Sequence, residues 1–210
     1  MQQESLFQQG EQTILQVEHF EVPNAELSYY PQFFSAIEAS QLFEQLQKEL
    51  VWEQHHIRIA GMTRAQPRLS AWYGDSDAAY SYSGLQLKPI VWHPALNHIR
   101  QRIESLTSHR FNSVLANLYR DHIDSMGWHA DNEPELGIRP LIASVSLGCS
   151  REFLIRHNNI KSARHKIALA HGSLLLMGGD MQTHWQHAIA KQKETLGPRI
   201  NLTFRLIHRS

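Results

Sequence analysis

Between Ile37 and Leu50 apolar residues recur at helical spacing, with Leu42, Phe43, Leu46 and Leu50 on one stripe. Ser35, followed three residues later by Glu38, reads as a capping box that opens this helix. Pro94 opens a second helix whose buried stripe is Leu96, Ile99, Ile103 and Leu106. Ahead of the first helix, Thr13 to Tyr30 carries a weak, mixed pattern that suits an edge strand or an extended segment. Between the helices, Trp52 to Trp72 reads as irregular or hairpin-like and turns at Gly61. Tyr73-Gly74-Asp75 marks a further turn, and Tyr80-Ser81-Tyr82-Ser83-Gly84 a short extended piece.

After Arg110 the helical period stops. Segments rich in β-branched and aliphatic residues follow: Ser113–Tyr119, Pro140–Leu147, Glu152–Arg156, Lys166–Ala170, Ser173–Met177 and Arg199–Ile207. Gly, Asn or Pro clusters separate most of them. Short strands at this spacing predict a mainly β protein with flanking helices, an α+β chain built on a double-sheet jelly roll with the two helices packed outside.

At 210 residues the chain fits one domain, expected from 13 to 210 behind a loose, Gln/Glu-rich tail from Met1 to Gln12. An apolar fraction of 42% is enough for a real core. Lys+Arg and Asp+Glu stand at 20 each, so any nucleic-acid partner must be met by local positive charge. The single Cys149 excludes an intrachain disulfide and a cysteine-based metal site, and fits a reducing compartment. No apolar run approaches the ~20 residues that span a bilayer, and the start of the chain has no secretory signal. The expectation is a monomer without membrane attachment, in the cytoplasm or, in a eukaryote, the nucleus.

Histidine stands out at 14 residues. Trp128-His129-Ala130-Asp131 puts an imidazole and a carboxylate two apart, on the same side of an extended backbone. His184-Trp185-Gln186-His187 offers a third ligand in either of its histidines. Two His and one carboxylate on one face of a metal leave the opposite positions open, as non-haem Fe(II) oxygenases require. A surface Asp bonded to a nearby His would look the same in sequence, so the pair alone is a weak signal. The last apolar segment strengthens it. Ile200, Leu202 and Phe204 face one way, and Arg199, Asn201, Thr203 and Arg205 the other, with no acidic residue between the two cations. A half-exposed strand with solvated Arg accounts for that pattern; so does a pocket for a dicarboxylate, since each guanidinium presents a planar fork to a carboxylate. Asn117 and Tyr119 share a strand face with Leu115 and offer an amide and a phenol to the same anion. A keto-dicarboxylate that also chelates the metal, 2-oxoglutarate, satisfies both features.

With these residues in hand, the chain resembles the AlkB family of Fe(II)/2-oxoglutarate dioxygenases, most of all the nucleic-acid repair homologues. The resemblance runs from about Gln66 to Ile207. It rests on Pro67-Arg68-Leu69-Ser70-Ala71-Trp72-Tyr73-Gly74, Asn117-Leu118-Tyr119-Arg120 and Trp128-His129-Ala130-Asp131-Asn132-Glu133. Ile142-Ala143-Ser144-Val145-Ser146-Leu147-Gly148, His184-Trp185-Gln186-His187 and Pro198-Arg199-Ile200-Asn201-Leu202-Thr203-Phe204-Arg205 complete it. The resemblance implies a double-stranded β-helix, with His129, Asp131 and His187 as iron ligands and His184 ordering the loop. It also implies that Asn117, Tyr119, Arg199, Asn201, Thr203 and Arg205 contact 2-oxoglutarate. Tyr80 and Tyr82 fall in the family's nucleotide-recognition hairpin segment and would stack on the base; Asn132 and Glu133 would meet its edge. Arg58, Arg64, Arg68 and Arg120 are candidates for phosphate. The implied activity is oxidative demethylation of N-alkylated bases such as 1-methyladenine and 3-methylcytosine in DNA or RNA, consuming O2 and 2-oxoglutarate. Ile59-Ala60-Gly61-Met62 lacks the aromatic wedge of members that open duplexes, so single strands are the expected substrate. The same chemistry on a protein or small molecule is the alternative. A silent reader of nucleic acid would need neither the triad nor the two Arg.

Overall fold

The structure, a computed structural model, describes residues 15–208 except 60, 79, 83, 84 and 88, and for 57–59, 80–82 and 85–87 only the backbone. Strands β1 (Glu18–Phe20) and β2 (Ala25–Tyr30) precede helix α1 (Ala36–Glu49). Then come β3 (His56–Ile59), β4 (Met62–Ala65), β5 (Leu69–Gly74), β6 (Tyr80–Tyr82), β7 (Leu85–Leu87) and helix α2 (Pro94–Thr107). The second half holds β8 (Ser113–Tyr119), β9 (Met126–His129), β10 (Ile142–Gly148), β11 (Arg151–His157), β12 (Arg164–Leu169) and β13 (Ser173–Gly179). A one-turn helix α3 (Met181–His184), β14 (Trp185–Ile189) and β15 (Arg199–Arg205) close the chain.

The strands form a seven-stranded sheet, ordered β1-β2-β13-β10-β15-β8-β5, and a four-stranded sheet, ordered β12-β11-β14-β9. Every ladder in both is antiparallel. This is the expected jelly roll. The alternation along β15 builds both of its compartments. Ile200, Leu202 and Phe204 are fully buried beneath the helices, with Leu46 of α1 and Leu96, Ile99 and Ile103 of α2. Burying side chains of this kind stabilises the fold by about 1.5–3 kcal/mol each. A second apolar cluster, including Phe153, Ile155, Ile167, Leu175 and Met177, fills the space between the sheets. The polar face of β15 looks into that space.

The helices start where their sequences say. Ser35 Oγ accepts the Glu38 amide at 3.2 Å, the N-cap half of the box. The Glu38 carboxylate turns instead to α2, where it accepts two hydrogen bonds from Arg102 Nη1 at 3.0 and 2.8 Å. Leu106 departs from expectation: it is 36% exposed, because the buried stripe of α2 ends a turn earlier at Ile103. The hairpin about Gly61 forms as β3–β4, but residues 69–72 are not part of an irregular stretch. They belong to β5, which pairs with β8 from Leu69↔Leu118 to Gly74↔Ser113. Tyr73 and Gly74 therefore end a strand, and the turn begins only at Asp75, whose carbonyl accepts the Ala78 amide at 2.9 Å. Pro140 lies outside β10, which starts at Ile142, and β15 ends at Arg205, two residues before Ile207. The tail from Met1 to Gln12 lies outside the described residues. No helix among the described residues is long and apolar enough to cross a membrane.

Candidate metal centre and anion cavity

β9 and β14 run side by side at the edge of the smaller sheet, with His187 directly opposite His129. Along β14 the side chains of Trp185, His187 and Ile189 point to the interior. Asp131 follows β9 on the same side. Ligand atoms of His129, Asp131 and His187 all lie within 4.8 Å of one another, the one such cluster of His, Cys, Asp or Glu among the described residues. The two imidazoles meet edge to face at 4.1 Å between centroids, and Phe153 stacks on His187 at 5.2 Å. His184, the competing histidine, is turned away at the end of α3 and stacks on His157 at 5.7 Å.

The surroundings prepare each group for a cation. His129 Nδ1 lies 2.9 Å from the Gly127 carbonyl. A carbonyl only accepts, so Nδ1 donates to it, which leaves Nε2 as the nitrogen that would face a metal. His187 is buried, with Nδ1 making no hydrogen bond. Burial, reinforced by the nearby charge of His129, pulls its pKa down to about 3, so it is a neutral imidazole at physiological pH. Burial alone would raise the Asp131 pKa. The Arg205 cation and the two imidazoles outweigh it, and the carboxyl falls to about 2. Arg205 Nη2 donates to Asp131 Oδ2 at 2.7 Å between two buried groups. The Asp131 amide donates to Gln182 Oε1 at 2.9 Å, so α3 fixes the backbone of this residue. Two imidazoles and a carboxylate, gathered and largely buried, fit Fe(II) with coordination positions left open.

Beside the triad lies a narrow cavity of about 30 Å³. Its lining includes all nine residues expected to hold metal or 2-oxoglutarate: His129, Asp131, His187, Asn117, Tyr119, Arg199, Asn201, Thr203 and Arg205. Opposed pairing puts them there. Asn201 faces Asn117 across β15–β8, and Arg199 faces Tyr119. Arg199 is buried; its Nη2 donates to Ser146 Oγ at 2.9 Å, while Nε and Nη1 make no hydrogen bond of good geometry. Its guanidinium sits 5.1 Å from the centre of the Tyr119 ring. Burial lowers its pKa to about 10, against the opposing pull of Tyr119, so it stays cationic. A buried cation with open donors in the lining of this cavity is a seat for a carboxylate. Asn201 is committed to its neighbours: Nδ2 donates to Ser144 Oγ at 2.8 Å, and Oδ1 accepts from Thr203 Oγ1 at 3.2 Å.

The expected nucleic-acid contacts fare unevenly. Asn132 is exposed, and Glu133 is half-buried with Oε2 making no hydrogen bond. The side chains of Tyr80, Tyr82 and Arg58 lie outside the described residues. Arg64 is exposed. Arg120 is clasped by Asp124, with Nε and Nη2 at 2.7 and 2.9 Å from its two oxygens. Arg68 is not a surface cation: it is 6% exposed and turned inward. Its Nε donates to Asn117 Oδ1 at 2.9 Å. Sequence reasoning passed over Gln182 and also Arg151, which is buried and donates to the carbonyls of Asp121, Asp124 and Ala190 at 2.6–3.1 Å. Arg151 ties the loop before β9 to the end of β14. Its one signal was its phase, since it shares the inward face of β11 with Phe153 and Ile155.

Comparison with known proteins agrees with this geometry. Residues 26–205 match the model of the 2OG-Fe(II) oxygenase superfamily. The chain is 43% identical over 188 residues to alpha-ketoglutarate-dependent dioxygenase alkB homolog 3 of Homo sapiens, covering 85% of this chain and 65% of that protein. It is 40% identical over 188 residues to the DNA oxidative demethylase ALKBH2 of Homo sapiens, covering 85% and 72%. The chain thus spans 65% of the length of the first curated relatives it matches. Among solved structures, OsALKBH1 superposes with a TM-score of 0.63 at 16% identity, covering 91% of this chain and all of that one, a likeness of fold. Motif, fold and similarity together make the chain a member of the 2OG-Fe(II) oxygenase superfamily, within its AlkB branch.

Proposed function

We propose that this chain is an Fe(II)- and 2-oxoglutarate-dependent dioxygenase that removes N-alkyl groups, such as those of 1-methyladenine and 3-methylcytosine, from bases in nucleic acid. The observation that carries the reading is the shared cavity: the three candidate metal ligands and the buried Arg199 line the same space. A hydrolytic metal site would have no use for a second, buried cation. His129, Asp131 and His187 would hold the iron. Arg199 would take the far carboxylate of 2-oxoglutarate, with Asn117 and Tyr119 beside it and Arg205 steadying Asp131. Bound there, the metal would supply activation of O2: one oxygen atom would end in succinate as 2-oxoglutarate loses CO2, and the other on the alkyl carbon, which would leave the base as formaldehyde. The apolar lining, Leu115, Met126, Phe153 and Ile189, excludes water from that reaction.

Two of the most similar relatives are named for this kind of chemistry, one of them as a DNA oxidative demethylase. A base stacked in a duplex cannot reach a site between two sheets, so the target must be flipped out or single-stranded. Glu133, with a buried carboxylate oxygen two residues beyond Asp131, suits the edge of a cationic lesion; Tyr80 and Tyr82 would stack on it. The β3–β4 turn places an exposed Met62 and no aromatic residue after Gly61, which supports a preference for single strands. The triad and the cofactor cavity favour an enzyme over a silent reader. The test is coupling: a methylated single-stranded oligonucleotide should stimulate succinate release well above the rate without it, whereas an unmethylated one should not. Equal rates with both would put the substrate elsewhere.

A further inference from the structure

Among the expected phosphate contacts whose side chains are described, Arg68 alone is buried. An arginine only donates, through its five N–H groups. An asparagine amide has two unlike ends, an acceptor oxygen and a donor NH2, and either can face a cavity. Arg68 settles the choice. Its Nε reaches Asn117 Oδ1 at 2.9 Å, so the oxygen of the amide must lie on the Arg68 side and the NH2 on the other. Asn117 is itself buried and lines the cavity that holds Arg199. Its Nδ2 makes no hydrogen bond to any described residue, which leaves both N–H groups for a ligand. Without the guanidinium, the amide is free to turn its oxygen towards an anion and repel it.

Arg68 is also firmly placed. It lies one residue before β5, the strand in which Ser70 pairs with Asn117. The Arg68 amide donates to the Gln66 carbonyl at 2.8 Å, and the Ser125 amide donates to the Pro67 carbonyl at 2.9 Å. Arg68 takes part in no ion pair among the described residues. A buried cation without a carboxylate is costly, and an anion arriving nearby relieves that cost. The same positive charge behind the amide polarises it and strengthens its N–H groups as donors.

We propose that Arg68 is a positioning residue for the co-substrate: it locks the Asn117 amide with its donors towards the cavity and so makes the pocket selective for an anion. This inference rests on the proposed co-substrate, 2-oxoglutarate. The test is calorimetric titration of 2-oxoglutarate into the full chain loaded with Mn(II), without turnover. Arg68→Met should weaken 2-oxoglutarate on the order of ten- to a hundred-fold, while Mn(II) affinity measured without 2-oxoglutarate stays within about two-fold. Arg68→Lys, which keeps a donor and the charge, should recover part of the loss. Asn117→Ala should weaken binding similarly, and Arg68→Met added to it should cost little more, because the two act through one amide. Arg68→Met with unchanged 2-oxoglutarate affinity, or losses that multiply in the double variant, would overturn the proposal. If Arg68→Met does not fold, Arg68→Lys alone and combined with Asn117→Ala decides it by the same rule. Failure of the unmodified protein to bind 2-oxoglutarate would instead sink the proposed function. Binding that is lost in Arg199→Met but kept in Arg68→Met would sink this inference alone.

Discussion

Asp131 does two jobs with one side chain: Oδ2 accepts from Arg205 at 2.7 Å, and the group stays ionised while buried. Asp131→Asn keeps the shape and removes the charge. We expect metal affinity, read by metal content after dialysis against limiting Fe(II) or Mn(II), to fall by more than about a hundred-fold. Acid sensitivity should draw on a second carboxylate as well. Asp124 is buried, which would raise its pKa, but hydrogen bonds from Arg120 outweigh this and hold it below the ordinary carboxylate value. A depressed folded-state pKa means stability that is present above the unfolded value and lost as pH falls through the folded one. The urea midpoint should therefore drop as pH falls below about 4, and Asp124→Asn should flatten that drop. The ligand residues were legible at this scale because spacing and a matching motif marked them. Gln182 and Arg151 were not, because each acts on a backbone group far away in sequence, and no local pattern announces such a partner.

Elements were legible where the period was clean. α1 and α2 begin at their caps, and β8 and β15 were readable from alternation alone. β5 was missed because Tyr73-Gly74-Asp75 looks like a turn. Gly74 is needed there for a different reason, since a Cβ on it would lie 2.7 Å from the Asn112 carbonyl. β14 went unseen because its five residues, Trp185–Ile189, include two polar ones and follow a helical turn. The helices buttress the sheet without entering the cavity. Ile99→Ala, at a fully buried site of α2, should therefore cost about 2–5 kcal/mol of stability by chemical denaturation. Mn(II) and 2-oxoglutarate affinities of the folded fraction should hardly change; a large loss of affinity would mean that α2 shapes the site.

For the whole molecule, the jelly roll explains why distant segments converge: residues near 117, 130, 187 and 200 reach one cavity through antiparallel pairing between β8 and β15 and between β9 and β14. Alternation could suggest two sheets but not which strands pair; the order of motifs carried that information. A balanced net charge leaves nucleic-acid binding to local cations. Affinity for a methylated single strand should therefore fall steeply with salt, and turnover on duplex should lag behind single strand at equal salt. Comparable rates on both would contradict the reading of the β3–β4 turn. The most direct test of the central claim is mass spectrometry of a methylated single-stranded oligonucleotide incubated with the protein, Fe(II), ascorbate and 2-oxoglutarate. The account predicts loss of the methyl group with matching succinate and formaldehyde, and no loss with His187→Ala. An oligonucleotide that keeps its methyl group, or full demethylation by His187→Ala, would contradict it.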